Sequence, residues 1–348
     1  MTISYHERPG VYSDYEASGL YAAQSGGKTV ALAAKSTTAE GVRVLHSLAD
    51  TAAFAAEQPL YGMLRLLFQN GAGTVLLHPV EEQTAAGYSA ALQALLGRQE
   101  AQIVLTDSTE ASVAAAVKTA VEAASLSRNE CIAVLGAEAE TTAAYTEAAA
   151  ALNSARVMLS APACSCAVDL TPRAVYGAAA LAGLLAAQSD PSLPLHGAEL
   201  SGLTAVTTAW SEAELDQLIR GGVTALEYAD GAVRVLRGVS TKTTENGQPD
   251  AAWREITTIL IVDDVISGVR SSLQRRFSRA KNNAQTRSAI RDQVVMELEN
   301  RVRREIIEHY GDLTVQANAD DPTICDVIFS FGVSHGLRCI LLSAHITV

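Results

Sequence analysis

The sequence predicts an α/β body followed by a smaller α+β unit, with an extended arm at each end. Three observations carry this expectation. Four apolar β-like runs, Thr74 to Val80, Ala101 to Thr106, Cys131 to Leu135 and Arg156 to Ser160, begin 27, 30 and 25 residues apart, the spacing of βαβ units around a parallel sheet. After Ser211 the pattern changes to a hairpin, two long helical stretches and terminal β-like runs. Residues 1–19 carry Pro9, Gly10 and Gly19 among polar and aromatic residues without helical period, and so read as an arm that must dock somewhere.

Taken in order, Lys28 to Ala34 reads as a short strand, and Pro59 to Phe68 as a helix opened by proline and ended at Asn70-Gly71. Alanine-rich stretches of helical period, such as Ala111 to Ala124 and Thr141 to Leu152, separate the four β-like runs. Ala174 to Gln188 is nearly all apolar and too short to span a bilayer, which predicts a helix buried between layers. Glu212 to Arg220 reads as a short helix. Val223 to Tyr228 and Ala232 to Val239 read as strands joined at Asp230-Gly231, a hairpin signal. Thr241 to Pro249 is expected to be a polar linker. Trp253 to Ser278 places Ile256, Ile259, Leu260, Asp263, Ile266, Val269 and Leu273 on one face of a long helix, and a second helix is expected from about Ala284 to His309. Three β-like runs close the chain: Leu313 to Gln316, Ile324 to Val333 and Leu337 to Val348.

Composition excludes several classes. With 348 residues and roughly 150 per domain, about two domains are expected. Hydrophobic residues at 48% and charged residues at 18% exclude a chain-wide disordered scaffold. A net charge of −12 argues against a whole-surface nucleic-acid or anionic-membrane binder. There is no run of 18 uninterrupted apolar residues and the start, MTISYHERPG, has no basic or apolar leader region, so the expected place of synthesis and assembly is the cytoplasm, without membrane insertion. Cys131, Cys164, Cys166, Cys325 and Cys339 are odd in number and include no C-x-x-C pair. They read as buried small hydrophobes rather than a disulfide framework or a zinc site.

Two constellations could carry chemistry. Ala22 to Thr29 (AAQSGGKT) matches a relaxed phosphate-loop pattern, and Ile259 to Asp264 (ILIVDD) resembles a Mg²⁺-binding strand end. Together they give a second functional reading, an NTPase or other α/β enzyme using Lys28 with Asp263 or Asp264. A phosphate loop, however, needs a buried strand before it and a helix N-terminus after it, whereas Tyr12 to Tyr21 is polar and Thr29 opens a strand-like run. Asp107, at the end of its β-like run, suits a helix cap better than a catalytic carboxylate. The seven histidines fall in no metal-binding spacing, and no G-x-S-x-G elbow occurs. No catalytic residue, cofactor or metal is therefore assigned.

Charge is unevenly placed. Residues 270–304 hold ten basic and three acidic side chains, +7, against −14 for residues 1–269 and −5 for residues 305–348. A basic helical pair on an acidic body is either a solvated face or a surface for an acidic partner. Only Phe277 among the segment's own residues, with Tyr310 beyond it, could interleave with the arginines, which disfavours nucleic acid.

Several segments in a fixed order resemble the tail sheath proteins of contractile phages, R-type bacteriocins and related contractile injection systems. They are Glu7-Arg8-Pro9-Gly10-Val11-Tyr12, then PLYGMLRLLFQNGAGTVLL from Pro59 to Leu77. Next come Ala178 to Ala187 before a proline-containing loop, Leu215 to Val223 with a hairpin and Arg237-Gly238-Val239, and finally Trp253 to Asn300 with KNNAQTRSAIRDQVVMELEN. The resemblance implies a structural subunit and no enzyme: six copies per ring, rings stacked helically around an inner tail tube, with baseplate and terminator proteins at the ends. Contraction would drive the tube through a cell envelope. It also implies a middle domain of subtilisin-like topology without a protease's site. The expected organisation is an arm at 1–19, a segment at 20–73 packing on the core, a middle α/β domain at 74–239, a C-terminal α+β sheath domain at 240–336 and an exchanged strand at 337–348. Pro9, Gly10, Val11 and Tyr12 at one end, and Ile340, Leu342, Ile346 and Val348 at the other, would join neighbouring subunits. Glycines 19, 26, 27, 332 and 336 are the candidate hinges. Arg270, Arg275, Arg276, Arg279 and Lys281 would face the tube.

Overall fold

Strand β1 (Thr29–Ala34) runs through the middle of an eight-stranded sheet, and its alternation explains the layers around it. Val30, Leu32 and Ala34 point into one core, Ala31 and Ala33 into another, as period-two side chains must when both faces are covered. The structure is a computed structural model, and it describes residues 27–338, 340, 342 and 343. Around β1 follow β2 (Arg43–Leu45), α1 (Leu60–Gln69), β3 (Thr74–Pro79), α2 (Ala85–Leu96), β4 (Ala101–Thr106), α3 (Ala111–Leu126), β5 (Ile132–Gly136), α4 (Thr142–Leu152) and β6 (Val157–Ala161). Then come β7 (Cys164–Cys166), β8 (Asp169–Arg173), α5 (Ala174–Ala187), β9 (Leu203–Val206), α6 (Glu212–Arg220), β10 (Thr224–Ala229) and β11 (Ala232–Val235).

The sheet order is β11-β10-β6-β5-β4-β1-β3-β2, parallel except for the antiparallel outer strands β2 and β11. Strand order reverses at β1. Crossovers of one hand then place α1 on one face and α2, α3, α4 on the other, and the two cores divide in that way. Helix α5 joins α1 on the first face and is buried over nearly its whole circumference, as its apolar sequence requires. Gly183 makes that packing possible, because a Cβ there would stand 2.6 Å from the Leu67 carbonyl oxygen of α1. The Asp230-Gly231 turn has both residues at positive φ, 51° and 84°, the primed hairpin turn. Gly197 and Leu200 donate backbone hydrogen bonds to Val235 and Val233, so the β11 edge is covered.

Beyond the sheet lie a short hairpin, β12 (Thr244–Glu245) with β13 (Gln248–Pro249), then α7 (Ile256–Phe277), α8 (Ala284–Arg303), β14 (Ile307–Ala317) and β15 (Cys325–Val333). Three expectations need correction here. The polar linker is not free chain: Thr241 is fully buried, and its hydroxyl accepts from Ser154 N at 3.0 Å and donates to Ser154 O at 3.1 Å. The single apolar face expected for α7 is split. Ile256, Ile259 and Leu260 enter the first sheet core, while Ile261, Val265 and Val269 build a second core with Val294 and Leu298 of α8. Helix α8 ends at Arg303 rather than His309, because Glu305 takes φ 60° and Ile306 N bonds back to Arg301 O while Glu305 N bonds to Val302 O. That is a Schellman stop built without glycine, which leaves no signal in the sequence.

Two carboxylates brace the first face. Burial alone would raise Glu57, but hydroxyls of Thr37, Thr38 and Ser36, each at 2.7 Å, and Thr37 N at 3.0 Å hold it at about 2. Asp169 is likewise held at about 2 against the effect of burial, by the Tyr176 hydroxyl at 2.6 Å, Thr171 N and Arg173. A carboxylate depressed in the folded state contributes stability above its unfolded value and loses it as pH falls through the folded one. Denaturant titrations of the full chain are therefore expected to show stability falling between about pH 4.5 and about pH 2. The Glu57→Gln/Asp169→Asn variant should be weaker near neutral pH and should decline less over that interval. An unchanged slope would exclude both groups as the source.

Candidate functional site

Strands β14 and β15 form an antiparallel ribbon, and among the described residues each pairs only with the other. One ribbon face is apolar: Leu313, Val327, Phe329, Phe331 and Val333 pack on the α7–α8 core, with the Phe329 and Phe331 rings stacked at 6.1 Å. The opposite face carries Ile328, exposed to 56%. Among the described residues no further strand pairs with either outer edge, the arrangement that accepts further strands. After Val333 the described residues carry no strand, and Leu337, Ile340 and Leu342 stand 67%, 78% and 92% exposed. Three large apolar side chains exposed in one short segment, among the described residues, mark a surface suited to a partner. Pro9, Gly10, Val11 and Tyr12, and Ile346 and Val348, lie outside the described residues.

The glycines expected as hinges do not behave alike. Gly332 lies inside β15, where a Cβ would meet the His309 ring of β14, and Gly336 is pressed against Pro194. Their missing side chains serve close approach rather than free rotation. Gly27 is in contact range of Ala186 O and Gly73 N, and Gly19 and Gly26 lie outside the described residues.

The basic residues divide into two groups. Arg275, Arg279 and Lys281, at the end of α7 and just beyond it, are exposed, while Arg276 donates to Gln293 Oε1 at 2.6 Å and lies over the Phe277 ring at 5.6 Å. Arg270 is not at that end: it bridges to Glu130, the residue two before β5, at 2.7 Å. Arg301, one of the ten basic residues between 270 and 304, is only 7% exposed and is held by Asp264 and Glu297.

The enzyme-like residues are brought together but used otherwise. Lys28, Asp263 and Asp264 line one cavity of about 400 Å³ between α7 and the amino ends of the strands. Lys28 leads directly into β1, not into a helix, and its ammonium donates to Leu185 O at 3.4 Å. Burial lowers its pKa against the pull of Asp264 and Asp263. Asp263 and Asp264 sit within α7 rather than at a strand end. Asp263 takes a bidentate grip from Arg156 at 2.7 and 2.8 Å, and Asp264 accepts from Arg301 at 2.8 Å. Carboxylates committed to guanidinium groups are not free to hold Mg²⁺. Asp107 is neither a cap nor a free acid: it accepts from Lys35 N at 2.9 Å and from the Tyr88 hydroxyl at 2.5 Å, tying the ends of β1 and β4 to α2. Helix α3 instead has Glu110 at its cap position, with no side-chain cap hydrogen bond. Among the described residues no three His, Cys, Asp or Glu side chains could hold a metal, and no helix is long and apolar enough to cross a membrane.

Sequence reasoning missed Arg156, Glu130, Glu297 and Arg301 as partners. A salt bridge between residues 107 apart, such as Arg156–Asp263, has no local pattern.

Comparison with known proteins agrees with this architecture. The family model described as phage tail sheath protein central domain matches residues 81–241, and that of the phage tail sheath C-terminal domain matches residues 248–347. A tail sheath protein of Bacillus phage SP01 is 31% identical over 252 residues, which is 70% of this chain; the chain spans 42% of that relative's length. A chain in the baseplate of the anti-feeding prophage superposes with TM-score 0.76 at 16% identity, covering 99% of this chain and 100% of that one. The contracted helical sheath of the same particle gives TM-score 0.73 at 16% identity, covering 98% and 99%.

Proposed function

The chain belongs to the phage tail sheath protein family, and from that premise we propose that it is a structural subunit of a contractile sheath, polymerising with copies of itself as six-membered rings stacked around an inner tail tube. The observation that carries the reading is the open ribbon of β14 and β15 beside the uncovered apolar side chains of Leu337, Ile340 and Leu342. A chain that offers two strand edges and also an exposed apolar segment satisfies both by exchange with neighbours. Because the two surfaces differ, each contact is heterologous and propagates as a ring or an open helix. Residues 1–19, with Pro9, Gly10, Val11 and Tyr12, and residues 337–348 are the exchanged arms. The central sheet, which we read as a subtilisin-like scaffold without catalysis, is the rigid body they link. Assembly in the bacterial cytoplasm, on a baseplate and under a terminator, completes the proposal.

Contraction then needs no nucleotide. The free-energy difference between two packings is summed over many copies, and the extended sheath persists as a kinetically trapped state until the baseplate releases it.

Within this reading the exposed end of α7 meets the tube. Arg275, Arg279 and Lys281, with Arg276 beside them, supply positive charge on a chain whose net charge is −12. Arg270, paired with Glu130, contributes little to such a surface. Exposed pairs are worth only about 0–1 kcal/mol each, which suits a tube that must slide free while repetition along the sheath holds it beforehand. Charge reversal by Arg275→Glu and Arg279→Glu is expected to reduce co-assembly with the tube, measured by co-sedimentation, and to flatten the dependence of that co-assembly on salt. Unaltered co-sedimentation would identify a merely solvated face.

A further inference from the structure

We propose that α7 is the strut that makes the subunit move as one piece, with Asp263 tying it to the sheet, Asp264 tying it to α8, and Arg270 fixing its register. This rests on the sheath function proposed above. Adjacent residues on a helix point about 100° apart and cannot face the same neighbour. The consecutive carboxylates accordingly grip different neighbours: Asp263 holds Arg156, the residue before β6, and Asp264 holds Arg301 of α8. Two helical turns beyond Asp263, Arg270 returns to the same side and holds Glu130, just ahead of neighbouring β5.

The order of charge is what fixes the register. At the sheet, an acid of α7 meets a base and a base of α7 meets an acid, the four charges lying close enough that Asp263 feels Glu130 and Arg270 as well as Arg156; sliding the helix by two turns breaks both pairs and puts Asp263 in Arg270's place beside Glu130. In the native register Arg156 and Arg270 offset the repulsion between Asp263 and Glu130, and a displaced register loses that compensation. On the other side, the Arg301 guanidinium fills the place where a side chain at Gly268 would be, donates to the Asp264 backbone carbonyl at 2.9 Å and reaches Glu297 at 3.0 Å. The residues before β14 follow directly from that arginine, because the stop of α8 bonds Ile306 N to Arg301 O. A pull on the ribbon thus reaches α8, then Arg301, α7, Arg156 and the sheet through short polar contacts, with apolar packing from both cores along the same helix.

The joint can be read without any sheath. Hydrogen exchange of the unassembled full chain is expected to be severalfold faster over residues 256–277 in the Asp263→Asn/Arg270→Gln variant than in the unaltered chain, with α1 and α5 unchanged. The conservative Asp263→Glu variant should regain most of the protection. In sheaths, the double variant should polymerise through its intact arms but lose full contraction severalfold. Subunits carrying Glu130→Cys and Arg270→Cys bridged by a short bismaleimide should contract like the unaltered chain. Unchanged exchange over 256–277, full contraction of the double variant, or a bridged subunit that jams would each overturn the strut. Failure of the unaltered chain to form sheaths at all would instead count against the sheath reading while leaving the exchange result standing.

Discussion

Deletion of residues 337–348 is expected to abolish polymerisation while leaving a folded monomer with the thermal midpoint of the full chain. Among the described residues of that segment, Leu337, Ile340 and Leu342 are 67%, 78% and 92% exposed, so their removal costs the single subunit little. The cut leaves Gly336 in place against Pro194. Between subunits the loss is large. Fully burying a Leu or Ile side chain is worth about 1.5–3 kcal/mol, and strand pairing adds backbone hydrogen bonds of about 0.5–1.5 kcal/mol each. Ordering the arm offsets part of that. Even a net of about 4 kcal/mol per contact is a factor of about 1,000 in each association step, and a helical assembly multiplies it through every subunit. Sedimentation velocity reads both halves of the expectation: a single slow species for the truncated chain, fast polymers for the intact one. Ordinary polymers of the truncated chain would remove the terminal arm from the account.

Replacing Arg301 by alanine is expected to give a loss of subunit stability as large as that of truncating a buried core residue of the C-terminal unit. The residue is 7% exposed and its guanidinium makes contacts to Asp264 Oδ2 at 2.8 Å, Asp264 O at 2.9 Å, Glu297 Oε2 at 3.0 Å and Glu297 O at 2.9 Å. Without it, two carboxylates are left facing each other across a gap between α7 and α8. Breaking a buried pair from one side costs about 3–5 kcal/mol, and the partial exposure of Asp264, 35%, puts this case at the lower end. Arg301→Met keeps most of the packing along the arginine stem and should lose less than alanine does. Denaturant unfolding of the full chain measures both. An alanine variant as stable as the unaltered protein would show that the two helices hold together by their apolar residues alone.

What the sequence made legible follows from the range of each signal. β1, β4, α1, α5 and α6 lie within a residue or two of where apolar spacing puts them, because burial on one or both faces writes itself into periods of two or 3.6. The hairpin at Asp230-Gly231 was equally plain, since only a few residue types take positive φ at both positions. The end of α8 was not, because Glu305 does glycine's work there. Likewise, reading Trp253 to Ser278 as one apolar face missed that α7 crosses from one core to another. Asp263, placed on that face by its spacing, is there for Arg156 instead. The candidate surface shows the same division. The positive charge at Arg275, Arg279 and Lys281 could be counted from composition, whereas the removal of Arg270 by Glu130 and of Arg301 by Asp264 and Glu297 depends on contacts that no local pattern encodes.

Electron microscopy of the purified full-length chain, concentrated until it polymerises, tests the central claim most directly. The account predicts hollow tubes of stacked six-membered rings, with density joining each ribbon of β14 and β15 to strands from neighbouring subunits, and with the sheet body superposing closely from Thr74 to Leu236 between extended and contracted forms. Particles that remain monomeric at every concentration, or tubes in which the ribbon edges stay unpaired, would contradict it.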